Sequence, residues 1–168
     1  PGYAPGSIER ERLCAEMERL RETPSEIPLF IDGTPVWTGE TLEIRSPGNH
    51  SLVLGRACMA GEREVDAAID SARGAWERWS RLAWRDRAAI FQKAADLLAG
   101  PHRIRNIASI MLNLSKTPYE AEIDLAELVD FWRFNAWYLH LLYDMQPEQA
   151  QGEINRFDWR PLEGFVFA

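Results

Sequence analysis

The sequence is poor in the side chains that build metal centres and nucleophile sites. Its two cysteines, Cys14 and Cys58, and its three histidines, His50, His102 and His140, all stand in separate segments. Two thiols are too few for a disulfide framework and lack metal-ligand spacing, so reduced thiols and an intracellular compartment are expected. No apolar run approaches the ~20 residues of a membrane span. A nucleotide-binding G-x-G-x-x-G, a Walker loop and a G-x-S-x-G elbow are all missing. Basic charge is scarce as well: 19 Lys and Arg stand against 26 Asp and Glu, a net charge of −7. Such a chain repels a polyanion, which argues against non-specific nucleic-acid binding. The opening Pro1-Gly2-Tyr3 has neither the basic nor the apolar region of a secretory signal.

What is present is the composition of one globular domain, 46% apolar and 27% charged over 168 residues, enough to bury a core. The hydrophobic pattern divides it into an N-terminal arm and helix at 1–26, a β-hairpin region at 27–58, a helical layer at 59–147 and a tail at 148–168. Ser7 caps the first helix, in which Leu13, Met17 and Leu20 form an apolar stripe with Cys14 a half-buried hydrophobe beside it. Asp32-Gly33 between Leu29–Ile31 and Pro35–Trp37 marks a tight hairpin turn. Leu42–Arg45 and Leu52–Cys58 read as further strands, joined by a loop at 46–50 in which His50 stabilises a turn.

Four helices follow. Val65, Ile69, Ala72, Trp76 and Trp79 give the first an apolar face, which places both indoles inward; Trp84, Trp132 and Trp137 are likewise read as core. Ile90, Phe91, Ala94, Ala95 and Leu98 repeat the pattern until Gly100-Pro101 stops it. Ile104, Ile107, Ala108 and Met111 form a shorter helix. The last opens with Thr117 as N-cap, Pro118 at the first helical position and Glu120 completing a capping box. Ala121, Leu125, Leu128, Trp132, Asn135, Leu139 and Leu142 continue it in a 4-3 rhythm. Asn135 on that stripe calls for a buried hydrogen-bond partner.

The cluster with chemical potential is Ser115-Lys116-Thr117 followed by Glu120, Glu122 and Asp124. Glu120 and Asp124 share a face at i, i+4, whereas Glu122 points elsewhere. Carboxylates in a first helical turn commonly do no more than complement the helix dipole in water. In the tail, Glu153–Trp159 reads as a strand, 160–164 as a turn and Phe165–Ala168 as a buried parallel strand. A strand of four residues with nothing after it cannot cover itself, so the sequence reads as cut.

Several of these segments resemble one family. Pro28–Gly33 with Trp37, Ser46-Pro47 with Asn49-His50, and Asp86–Phe91 with Lys93–Pro101 form a first set. Ser115-Lys116-Thr117, Ala121–Asp124, Glu127–Phe131 with Arg133-Phe134-Asn135, and Arg160–Val166 form a second. Together they resemble the N-terminal part of the delta-1-pyrroline-5-carboxylate (L-glutamate gamma-semialdehyde) dehydrogenases, the proline-catabolism branch of the aldehyde dehydrogenase superfamily. The resemblance implies an α/β fold, with the N-terminal helix and β-hairpin followed by a mainly helical layer. An oligomerisation-flap strand then precedes the first strand of an incomplete Rossmann-type sheet.

It also implies an NAD-dependent oxidation through a cysteine thiohemiacetal, with a glutamate base and an oxyanion-holding asparagine. Those groups and the NAD loops correspond to sequence after Ala168. Neither Cys14 nor Cys58 matches the nucleophile's motif. No catalytic, cofactor-binding or metal-binding residue is therefore assigned, and no NAD binding or dehydrogenase turnover is expected of the chain alone. Glu122 matches the glutamate that lies near the family's aldehyde pocket, and it is the candidate substrate-side residue for a small-molecule substrate. The implied partners are a C-terminal catalytic portion or a second copy, and the implied location is cytoplasm or mitochondrial matrix. The alternative is a truncated relative repurposed as a binding or assembly module, or as a non-redox acid–base catalyst using Glu122, Asp124 or His140.

Overall fold

A computed structural model describes residues 2–166. Helix α1 spans Ile8–Glu22 and is followed by five strands: β1 Ser25–Ile27, β2 Leu29–Ile31, β3 Thr34–Val36, β4 Thr41–Ser46 and β5 Asn49–Cys58. Helices α2 Glu62–Arg81, α3 Trp84–Ala99, α4 Arg103–Leu114 and α5 Pro118–Asp144 complete the regular structure. The expected order of an N-terminal helix, a hairpin region and a helical layer is thus observed.

Local signals account for most boundaries. The Ser7 hydroxyl accepts the Arg10 amide at 3.3 Å and starts α1, satisfying a donor that the first turn leaves free. At the β2–β3 turn Asp32 and Gly33 have φ of 53° and 70°. Both central residues are therefore left-handed, the condition for a hairpin turn whose twist matches its strands. The loop expected at 46–50 is tighter than its composition suggests. Ser46 pairs with Asn49, so β4 and β5 run into it and His50 lies on a strand.

One pairing has no local signature. Strand β1 runs parallel to β5, with Ser25 opposite Gly55, giving a three-stranded sheet in the order β1-β5-β4. A Cβ at Gly55 would meet the Ser25 carbonyl oxygen at 2.5 Å, so the close approach of the two backbones requires glycine there.

The core lies between α1, α4 and α5. Leu13, Leu20, Ile107, Ala108, Leu112, Ala121 and Leu125 form one buried cluster, with Tyr3, Met17 and Leu54 packed against it. Cys14 is exposed, not half-buried as expected. It follows Leu13 by about 100° around the helix, outside the arc that meets α4. Helix α3 lies along α5 and buries the small Ala88 and Ala95, whereas Ile90 and Phe91 of its expected stripe are exposed.

The stripe on α5 also differs from expectation. The buried residues are Ala121, Leu125, Val129 and Ala136, while Leu128, Leu142 and Asn135 are exposed. Ala121, Leu125 and Val129 follow one another at four-residue steps of about 40° around the helix, so the buried face turns to one side of the 4-3 stripe within its first two turns. Leu128 is already outside it, and Asn135 needs no buried partner.

Two further corrections concern the open side of the molecule. Helix α2 buries no residue, and its indoles Trp76 and Trp79 are exposed together with Trp137; Trp84 and Trp132 are half-buried. Amphipathic spacing specifies an apolar face but not the layer that covers it. Past Asp144 the described chain is irregular, so Glu153–Trp159 forms no strand. It has no neighbouring strand to complete a ladder. Phe165 and Val166 join neither sheet and are exposed, and Phe167 and Ala168 of the same expected strand lie outside the described residues.

Candidate functional site

The acidic cluster at the head of α5 divides into three separate arrangements. Ser115 ends α4 in the left-handed conformation, φ 54°, and Thr117 opens α5 two residues later. The Thr117 hydroxyl accepts the Glu120 amide at 3.3 Å, and the Glu120 carboxylate accepts the Thr117 amide at 2.8 Å. Donation to its carboxylate, by the Thr117 amide first and by the Thr117 hydroxyl second, holds the Glu120 carboxyl below the usual range. Glu120 is thus consumed by the cap. Asp124, one turn on, pairs with Lys116 at 2.5 Å.

Glu122 faces another way, as its position on the helix predicts. The Tyr3 hydroxyl donates to its Oε1 and the Arg103 guanidinium donates to its Oε2. The Glu122 side chain is 17% exposed and that of Arg103 26%, so this ion pair is the better shielded of the two at the head of α5. Burial, and then the adjoining Glu122 carboxylate, push the Tyr3 phenol well above its ordinary range. Tyr3 therefore stays protonated and remains a donor throughout the neutral range. Three elements meet at one carboxylate: the N-terminal arm, the first residue of α4 and the first turns of α5.

Tyr3 and Arg103 escaped the reading of the sequence. Arg103 opens a helix whose signature was its apolar face, and Tyr3 lies 119 residues from its partner in a segment without periodicity. A half-buried carboxylate needs donors, but nothing local says which residues supply them.

The other candidates do not join this site. Asp124 is bound to Lys116. His140 lies on the last turns of the same helix, stacked on Trp84 with ring centroids 5.6 Å apart and 3.3 Å from Asp144. Glu122, Asp124 and His140 therefore form no common acid–base arrangement. Cys58 is buried at the end of β5, its sulfur 3.4 Å from the Thr38 amide. Neither cysteine accompanies Glu122 on α5 or the elements clasping it. Among the described residues no group of three or more His, Cys, Asp or Glu could hold a metal ion, and no helix is long and apolar enough to cross a membrane.

A dinucleotide fares no better against the side chains present. The strand-to-helix step most like a phosphate loop is β5 to α2. There Glu62 and Glu64 occupy the first helical turn and Glu64 accepts the Gly61 amide at 2.9 Å. A helix start filled by its own carboxylates does not suit a pyrophosphate.

Comparison with known proteins agrees with the architecture. The family model described as "Aldehyde dehydrogenase family" matches residues 36–168. The probable delta-1-pyrroline-5-carboxylate dehydrogenase of Schizosaccharomyces pombe is 41% identical over 99% of this chain, and the mitochondrial delta-1-pyrroline-5-carboxylate dehydrogenase of Danio rerio is 40% identical over 99%. The chain spans 31% and 30% of their lengths, respectively. Among solved structures, the Mycobacterium tuberculosis delta-pyrroline-5-carboxylate dehydrogenase bound with NAD superposes with a TM-score of 0.93 at 41% identity, covering 98% of this chain and 31% of that one.

Proposed function

This chain belongs to the aldehyde dehydrogenase family, and from that premise we propose that it is the N-terminal portion of an NAD-dependent L-glutamate gamma-semialdehyde dehydrogenase. The observation that carries this reading is the TM-score of 0.93 with 41% identity over 98% of the chain. The physical state of the molecule supports it. Helix α2 and residues 162–166 together present Val65, Trp76, Trp79, Leu162, Phe165 and Val166 to solvent, an apolar surface suited to a further protein layer.

In this reading the chain's own work is structural and substrate-side. NAD supplies the hydride acceptor to the assembled enzyme, and no residue described above is assigned to hold it. Glu122 stands on the substrate side of the helical layer. The partners are the catalytic portion, which adds the missing layer, and a second copy, which pairs with residues 153–159 and orders them as the flap strand. The location is an intracellular compartment, cytoplasm or mitochondrial matrix, as the mitochondrial relatives suggest.

A chimera tests the proposal. This chain replaces the matching segment of the Mycobacterium tuberculosis relative, and NADH formation is followed with glutamate semialdehyde. The expected result is turnover within about tenfold of the parent, a change of about 1.4 kcal/mol in the barrier. A folded, NAD-binding chimera that does not oxidise the semialdehyde overturns it. The isolated 168-residue chain should form no NADH.

A further inference from the structure

We infer that Tyr3 and Arg103 are positioning residues for the Glu122 carboxylate, so that seating of the N-terminal arm fixes the one acidic side chain which the proposed function places on the substrate side. The inference rests on that reading of Glu122 and adds to it two residues and a coupling.

The geometry supports it in three ways. Each oxygen of Glu122 has its own donor from a different element, Tyr3 on Oε1 and Arg103 on Oε2. The terminal torsion of a glutamate is broad, so one donor leaves the carboxylate plane free to turn whereas two fix it. The donors are themselves held. The Tyr3 ring packs on the buried cluster of α1, α4 and α5, and Arg103 opens the helix whose Ile107 and Ala108 are fully buried. Competing partners are also engaged elsewhere: Lys116 is taken by Asp124, and Glu120 by Thr117.

Arg103 cancels the charge of Glu122, so what the pair offers a bound molecule is a fixed local dipole. Its direction then matters more than its net charge. Loss of Tyr3 leaves the ion pair but not its orientation. A change in the arm thereby reaches substrate binding through the Tyr3 bond to Glu122.

The test uses the chimera described above with Tyr3→Phe, Arg103→Gln, Arg103→Lys and Glu122→Gln, and with Arg133→Gln as a control in the exposed pair with Asp96. Glu122→Gln should raise KM for the semialdehyde about tenfold or more. Tyr3→Phe and Arg103→Gln should raise it about three- to tenfold, with kcat and the KM for NAD within about twofold and Arg103→Lys recovering part of the loss. If Glu122→Gln raises KM but Tyr3→Phe and Arg103→Gln do not, the inference fails and the substrate-side reading stands. If Glu122→Gln leaves KM unchanged, that reading falls and takes the inference with it. A loss of thermal stability with kcat and both KM values altered alike makes the clasp structural only, which also overturns the inference. The clasp itself is read in the chain alone by ultraviolet titration. The most alkaline tyrosine transition should vanish in Tyr3→Phe and move down in Glu122→Gln; an unmoved transition in Glu122→Gln overturns the inference.

Discussion

The two sides of this molecule use the same kind of sequence and reach opposite ends. On one side α1, α4 and α5 enclose Ile107, Ala108 and Ala121, each fully buried, and Glu122 ties the N-terminal arm to them. On the other side α2 is amphipathic over 20 residues yet buries none of them. Phe30 at 72% exposure and Val166 at 77% complete that open surface. Amphipathic spacing is present in both regions, so it is not what separates them. The difference is whether a second layer faces the apolar stripe. In the proposed function that layer belongs to the catalytic portion, which makes the closed side a stability element and the open side a recognition surface.

The largest test of this contrast is a pair of truncations. Ile107→Ala should cost about 2–5 kcal/mol, the usual range for an aliphatic side chain removed from a packed core. Trp76→Ala removes a larger side chain from the open side, one that is 36% exposed and donates to the Leu162 carbonyl, and should cost the isolated chain less, about 1 kcal/mol or below. Urea denaturation of both variants compares them directly. Equal losses would mean that α2 is part of the folded core, and the contrast would collapse. A sharper version adds the catalytic portion, in whose presence Trp76→Ala should weaken association while Ile107→Ala acts on folding.

Next in size is the cap that starts α5. Thr117→Ala removes the acceptor for the Glu120 amide and should cost about 1 kcal/mol, measured by the same denaturation. Glu120→Gln keeps an acceptor for the Thr117 amide and should lose less. A Thr117→Ala loss near zero would place the rigidity of the closed side in its apolar cluster alone.

The features legible in the sequence are the ones that local chemistry decides. The Asp32-Gly33 turn, the Ser7 cap and the Thr117–Glu120 capping box each involve residues within three positions of one another. The separation of Glu122 from Glu120 and Asp124 follows from the helical period. Partners set by the fold were not legible: β1 beside β5, Tyr3 on Glu122, and Arg103 on Glu122 join segments with no shared pattern. The stripe on α5 failed for a different reason, because the face that its neighbours cover runs through Val129 and Ala136, to one side of the 4-3 rhythm. The Trp76 and Trp79 reading failed because burial belongs to the neighbouring layer. For the site, the sequence and its family resemblance supplied the carboxylate and not its holders.

The smallest expected effect is a pH dependence on the closed side. The Tyr3 phenol is held above its ordinary value of about 10 by burial first and by the Glu122 carboxylate second. A group whose pKa is raised on folding binds its proton more tightly in the folded state. Its contribution is therefore complete below the unfolded value, near pH 10, and is lost as pH rises from there toward the folded value. The chain should accordingly lose stability between about pH 9.5 and 11 more steeply than Tyr3→Phe, in which that proton is absent. Thermal melts of both proteins across this interval make the measurement, and below pH 9 their difference should be constant. Because the ring is only partly buried, the excess slope should be modest. Parallel curves above pH 10 would show that the phenol is no better held in the folded chain than in the unfolded one. The N-terminal arm would then belong with the open side of the molecule.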